Sequence, residues 1–186
     1  MIYPDCLNRP NAENTFLGVA VAQSWNDLAL WEAFLDNHSI ASLIELGTWQ
    51  GGMAMFLSVQ GRARGFTVHS IDKPGHEPPC LASLDELKCT FHPIDIFSDD
   101  GVRAIADLVT TLPKPLMLFI DNGNKREEWR RFVPFLAPED YAAVHDWGSE
   151  FGDGDRVPRL MPILDSECEQ ASSLTRFFVV GEGGPA

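Results

Sequence analysis

The sequence predicts an α/β fold, a Rossmann-like doubly wound sheet of mostly parallel strands with helices on both faces. Apolar runs alternate with amphipathic stretches along the whole chain, which is how strands buried on both faces and their crossover helices read. Five of those runs end at a glycine or an acidic residue: Gly47, Asp72, Asp95, Asp121 and the pair His145-Asp146. The 186 residues, 45% hydrophobic with 12 Phe and 5 Trp, supply one core and are too few for two independent domains. A single domain over 1–186 is expected, with irregular tails at 1–15 and 181–186.

The elements follow in order. Leu28, Trp31 and Leu35 share one face of a helix at 25–37, and Ser24 with Asp27 forms a capping-box start. Residues 42–46 read as a short buried strand that breaks at Gly47. Residues 52–64 are the next helix, closing with Arg62 and Arg64 at its carbonyl end, where positive charge is favoured. A strand at 67–71 reaches Asp72, and 73–79 is a proline-rich loop. A strand at 90–94 ends at Asp95, with Val102, Ile105, Val109 and Leu112 marking the helix behind it. The clearest strand is 115–120, before Asp121. Trp129, Phe132, Val133 and Leu136 then keep helical spacing, which Pro134 should kink or end. The strand 141–144 leads into His145-Asp146-Trp147, followed by a loop at 148–155, a helical stretch at 158–171 and a strand at 175–180.

Charge and cysteine usage narrow the function classes. The formal net charge of −13 repels phosphate backbones and anionic lipid surfaces, so neither a nucleic acid nor a membrane is expected as partner. No apolar run approaches the roughly 18 residues of a membrane span, and the opening lacks the order of a secretory signal, so a cytoplasmic location is expected. Cys6, Cys80, Cys89 and Cys168 form no C-x-x-C pair and read as reduced, partly buried thiols.

In an open parallel sheet the polar strand ends share one edge, where ligands bind near the switch in strand order. Gly47 permits a tight turn, and Gly51 and Gly52 permit close approach of a carboxylate or phosphate to the next helix. Asp72 stands 21 positions after Gly51 at the next strand end, where a carboxylate accepts both ribose hydroxyls; the alternative is an aspartate capping its own turn. A nucleoside-bearing ligand is the expectation. His69 and His92 read as core or surface histidines, Asp153 and Asp155 as a solvated acidic loop, and Trp49, Trp129 and Trp147 as packing residues, Trp147 alternatively walling an acceptor pocket.

The E-L-G-x-x-x-G form of residues 45–51 resembles the first motif of class I S-adenosylmethionine-dependent methyltransferases of the catechol O-methyltransferase type. Residues 16–23, Asp27-Leu28 and 44–52 together are similar to the cephalosporin hydroxylase and rhamnosyl O-methyltransferase family, where a G-x-x-x-x-Q segment and a helix precede an E-x-G-x-x-x-G-G turn. The resemblance runs from about 16 to 147. It implies that Glu45, Gly47, Thr48 and Gly51 hold the amino-acid end of the methyl donor, that Asp72 takes its ribose, and that Asp95 with Ile96 lies near the adenine. It also implies a hard divalent cation, Mg²⁺ or Mn²⁺, at Asp121 and Asp146, orienting an acceptor hydroxyl and lowering its pKa.

Trp147 stands where the catechol enzyme has a ligating asparagine, so the third ligand is His145, Asn122 or Asn124. His145 is alternatively a general base; as a ligand it would favour Mn²⁺, Fe²⁺ or Zn²⁺ over Mg²⁺. Lys125 lies near the position of a catalytic lysine, one residue later than usual, and is otherwise a solvated helix-start residue. The resulting expectation is S-adenosylmethionine-dependent transfer of a methyl group to a hydroxyl of a small molecule or sugar. Two alternatives are a hydroxylase of the cephalosporin type and a non-catalytic nucleoside-binding module. The family finishes with two strands, so a second one is either missing or hidden in 160–172. The length leaves little room for an acceptor lid, which makes a homo-oligomer, with a neighbouring copy closing the site, a further expectation.

Overall fold

The computed structural model describes residues 14–182. A small hairpin of β1 (Thr15–Phe16) and β2 (Val19–Ala20) opens it, followed by α1 (Trp25–Asn37), β3 (Ser42–Leu46), α2 (Gly52–Arg64) and β4 (Thr67–Asp72). Then come α3 (Leu81–Glu86), β5 (Cys89–Pro93), α4 (Asp99–Thr111), β6 (Leu116–Ile120), α5 (Lys125–Phe132) and β7 (Tyr141–Val144). The chain closes with β8 (Leu160–Ile163), α6 (Asp165–Gln170) and β9 (Arg176–Val180).

Seven strands make one sheet in the order β5-β4-β3-β6-β7-β9-β8, and only β9 runs antiparallel to its neighbours. The chain steps outward from β3 through β4 to β5 and returns to β6 on the other side of β3. The order therefore reverses between β3 and β6, and the crevice outside their carboxyl ends is the topological site for a ligand.

Both faces of the sheet are covered, and for that reason its central strands carry no polar alternation. Leu43, Phe119, Ala143 and Phe177 face the layer of α1 and α2, whereas Ile44, Leu118, Val144 and Phe178 face that of α4 and α5. Trp31 locks α1 in place by meeting Phe119 and Phe177 edge-on, with ring centroids 5.0 and 4.9 Å apart. The capping box is present: Ser24 N donates to Asp27 Oδ2 at 2.9 Å and Asp27 N to Ser24 Oγ at 3.1 Å.

Several sequence expectations need correction. Thr15 belongs to β1, so the irregular tail does not reach residue 15; residues 1–13, with Cys6, lie outside the described residues. At the other end Gly181 N donates to Arg159 O at 2.8 Å, tying the chain to the sheet edge past β9. The stretch 158–171 is no single helix but β8 followed by α6, which supplies the second C-terminal strand. The helix read from Trp129 onward starts at Lys125 and ends at Phe132, and Pro134 sits in the 3-10 turn Val133–Phe135. Among the described residues no helix is long and apolar enough to cross a membrane.

Candidate active site

The glycine turn begins at Gly47, whose φ is +100°. A Cβ there would stand 2.6 Å from Asp121 O and 2.8 Å from Asp121 C. Only glycine lets the exit of β3 pass so close to the exit of β6. Gly51 and Gly52 are required by packing: Cβ atoms would stand 2.4 Å from Cys80 Sγ and 2.2 Å from Ala20 O, respectively. The turn is thus wedged between α3 and the hairpin, and α2 starts without a side-chain cap.

An open cleft of about 750 Å³ runs along the carboxyl ends of β3, β4, β5, β6 and β7. Gly47, Thr48, Asp72, Asp95, Ile96, Asp121, Lys125, His145 and Asp146 all line it. Two of the residues expected to hold the donor do not. Gly51 faces Cys80 and Pro78, and Glu45 lies beneath the turn, fully buried. Glu45 is in β3 directly opposite Ser70 of β4, and Ser70 Oγ donates to Glu45 Oε2. Burial pushes the Glu45 carboxyl up to about 8, against the lowering by Ser70 and helped by Asp121 and Asp72. Asp72 accepts from Trp49 N at 3.0 Å and Lys73 N at 2.8 Å, as a carboxylate that caps a turn does, and it also lines the cleft.

At the far end of the cleft Asp121, His145 and Asp146 present ligand atoms within 4.8 Å of one another. His145 Nδ1 stands 3.2 Å from Asp121 Oδ1 and 3.5 Å from Asp146 Oδ1. Burial opposes charge on His145, but Asp121, Asp146 and Asp27 outweigh it and raise its pKa to about 10. The bond from His145, supported by Lys125, holds the Asp146 carboxyl far below its usual range. Asp146 has φ +60°, a left-handed conformation that aspartate tolerates better than most residues.

Lys125 is not solvated. Only 5% exposed, its Nζ contacts Asp146 Oδ2 at 2.6 Å, Asn122 O at 2.7 Å, Glu150 Oε2 at 3.4 Å and Asp121 Oδ1 at 3.5 Å. Burial favours its neutral form, and the carboxylates override this, raising its pKa. Asn122 and Asn124 line the cleft but spend their side-chain oxygens locally, on Gly123 N and on the first turn of α5. His145 is the side chain whose ligand atom clusters with those of Asp121 and Asp146.

Three residues without an assigned role complete the cluster. Gln23 Nε2 donates to Asp121 Oδ2, while its Oε1 is buried without a partner among the described residues. Asp27 accepts from Ser24, Ser173 Oγ, Leu174 N and Thr175 N, and its Oδ2 lies 3.9 Å from His145 Nε2. Glu150 reaches Lys125 from the loop after β7. Gln23 and Asp27 both stand in the segment that carries the family resemblance, which is the signal the sequence holds for a place in the site; the capping-box spacing of Asp27 marks only the start of α1.

The remaining candidates lie elsewhere. His69 and His92 pair with each other, Nδ1 to Nε2 at 3.0 Å. Asp153 and Asp155 are each 3.1 Å from an arginine, Arg156 and Arg126. Trp147 packs beneath Arg156 and Arg176, off the cleft, whereas Trp49 lines it and is 48% exposed. Cys80, Cys89 and Cys168 are buried free thiols.

No protein-family model matches the chain, and no curated protein matches it by sequence. Solved structures match by shape. A CmcI structure with S-adenosylhomocysteine superposes with a TM-score of 0.67 at 16% identity, covering 89% of this chain and 82% of that one. A CmcI structure with Mg and S-adenosylmethionine gives 0.62 at 18% identity, over 73% of this chain and 58% of that one. The Bacillus cereus O-methyltransferase in complex with S-adenosylhomocysteine gives 0.57 at 11% identity, over 94% of this chain and 86% of that one. MycE, a methyltransferase of the mycinamycin biosynthetic pathway, seen with Mg, S-adenosylhomocysteine and mycinamycin VI, gives 0.56 at 14% identity, over 88% of this chain and 52% of that one. The chain thus spans most of two of these structures and little more than half of the others. Its seven-stranded, mostly parallel sheet has the Rossmann-like fold of the S-adenosylmethionine-dependent O-methyltransferases.

Proposed function

We propose that this protein transfers the methyl group of S-adenosylmethionine to a hydroxyl of a small molecule or sugar. One observation carries the reading: a single cleft joins the Gly47 turn and Asp72 to Asp121, His145 and Asp146, all at the carboxyl ends of parallel strands. In this reading the donor's amino-acid end lies by Gly47 and Thr48, its ribose hydroxyls on Asp72, and its adenine against Asp95 and Ile96. MycE and the Bacillus cereus protein, both methyltransferases seen with S-adenosylhomocysteine, favour methyl transfer over the hydroxylase and binding-module readings.

The chemistry is an in-line displacement. The acceptor oxygen attacks the methyl carbon as the carbon–sulfur bond breaks, the hydroxyl proton passes to solvent water in the open cleft, and S-adenosylhomocysteine remains. Catalysis then lies mostly in alignment and proton removal. The donor set of Asp121, Asp146 and His145 Nδ1 fits a divalent cation, and an imidazole in it favours Mn²⁺ over Mg²⁺. When bound, such an ion would polarise the acceptor hydroxyl and lower its pKa. Asp121, Asp146 and Asp27 favour the protonated imidazole, so His145 Nδ1 would release a proton on taking up the ion. Gln23 fixes Asp121, and Asp27 backs His145 from the opposite side.

Calorimetric titration with S-adenosylhomocysteine tests the reading. Binding to the wild type that Asp72→Ala weakens at least tenfold is the expected result. Absence of binding to the wild type would remove the proposal.

A further inference from the structure

The ammonium of Lys125 sits in an oxygen shell. Its partners are the carboxylates of Asp146 and Asp121 at 2.6 and 3.5 Å, that of Glu150 at 3.4 Å and the carbonyl of Asn122 at 2.7 Å. Asp121 and Asp146 are the same two carboxylates that, in the reading above, would hold a divalent ion. We propose that Lys125 is a tethered cation that competes with the divalent ion for Asp121 and Asp146, so that the ion enters only as the ammonium leaves. This inference rests on that assignment of the metal ligands and adds a property of the chain's own side chain.

The physical case has three parts. First, two carboxylates this close repel each other unless positive charge lies between them, and Lys125 supplies it by covalent attachment, together with His145, whose Nδ1 is 3.2 Å from Asp121 and 3.5 Å from Asp146. Second, a divalent ion bound beside an unmoved ammonium a few ångströms away would meet strong repulsion, which at an effective dielectric constant of about 20 is worth well over a tenfold change in affinity. Third, the displaced ammonium has somewhere to go. Glu150 lies on the loop after β7 with its side chain 49% exposed, so Lys125 can keep that partner while giving up Asp121 and Asp146. The ion's arrival and the movement of Lys125 are then one event, and the lysine holds the carboxylates together beforehand.

The test is Mn²⁺ binding to the full chain, by calorimetry and by electron paramagnetic resonance, for the wild type and Lys125→Met. The variant is expected to bind Mn²⁺ at least tenfold more tightly than the wild type. Equal affinities, weaker binding by the variant, or no Mn²⁺ binding to either protein would overturn the proposal. Should Lys125→Met fail to fold, acylation of Lys125 in the wild type, followed by mass spectrometry with and without saturating Mn²⁺, decides instead. Labelling that rises severalfold with the metal supports displacement; labelling unchanged while Mn²⁺ binds overturns it. S-adenosylhomocysteine titrated into the same samples without metal reports on the donor site alone, so failure of the methyl-donor reading is seen separately.

Discussion

Gly47 is where the fold and the cleft constrain each other most closely, and Gly47→Ala is the sharpest way to probe it. Two costs add. At φ +100° an L side chain is strained by about 1–2 kcal/mol. A Cβ would also stand 2.6 and 2.8 Å from the carbonyl oxygen and carbon of Asp121, and 2.9 Å from the Cα of Asn122. These are backbone atoms, which cannot rotate away as a side-chain tip would. Relief requires β3 and β6 to separate at their exits, breaking the bond from Asp121 N to Leu46 O, now 3.0 Å. Overpacking of this kind costs about 1–3 kcal/mol, so the total is about 2–5 kcal/mol. Gly65→Ala is the matched control, because Gly65 has a similar φ of +85° and a Cβ added there would meet nothing within 4 Å. It should lose only the conformational part, about 1 kcal/mol. Urea unfolding followed by circular dichroism compares the two. Equal losses would refute the claim that the β3 exit is held against the β6 exit by contact with Asp121.

Further outcomes are expected elsewhere. Burial raises the Glu45 carboxyl from 4.5 to about 8, so the folded state holds a proton that the unfolded state releases, and its stabilising contribution is lost as pH rises through that window. Glu45→Gln should therefore match the wild type near pH 4.5 and become the more stable protein by pH 8 in urea titrations; a constant difference would contradict the assigned burial. Asp27→Ala removes the acceptor of Ser173 Oγ and of the amides of Leu174 and Thr175 where α1 meets the start of β9, stranding Leu174 N while Thr175 N keeps its bond to Ser173 Oγ, and should cost about 1–3 kcal/mol by the same assay. Burial, with repulsion from His92, lowers His69 from 6.5 to about 4, so its contribution is present above 6.5 and lost as pH falls through 4. Relative to the wild type, His69→Gln should gain stability over that fall, and an unchanged difference would exclude the His69–His92 pair as its source.

Most of the scaffold was legible because its signals are local and repeated. The helices 25–37 and 52–64 and the strands 42–46 and 141–144 have the boundaries read from spacing, caps and turn glycines. The misses share a cause. In β8, Leu160 is buried but Met161 and Pro162 are exposed, so no apolar run marks a strand whose register is set by β9. The hairpin strands are two residues each, and the six residues of α3 follow a proline-rich loop, too short for periodicity to register. For the site, strand ends located Asp72, Asp95, Asp121, His145 and Asp146 correctly at one edge, since topology alone brings them there. Side-chain direction was not legible. Glu45 turns inward because its place in β3 points it at Ser70 under α2, and Lys125 is buried because the loop carrying Glu150 folds against it. Gln23 and Asp27 reach the cluster from before and within α1, a juxtaposition that no spacing along the chain encodes.

The most direct measurement is a crystal structure of the full chain grown with S-adenosylhomocysteine. The ribose hydroxyls are expected on Asp72, the adenine between Asp95 and Ile96, and the sulfur directed toward Asp121 and Asp146. A nucleoside bound outside this cleft, or bound in it without contact to Asp72, would contradict the proposed function at its root.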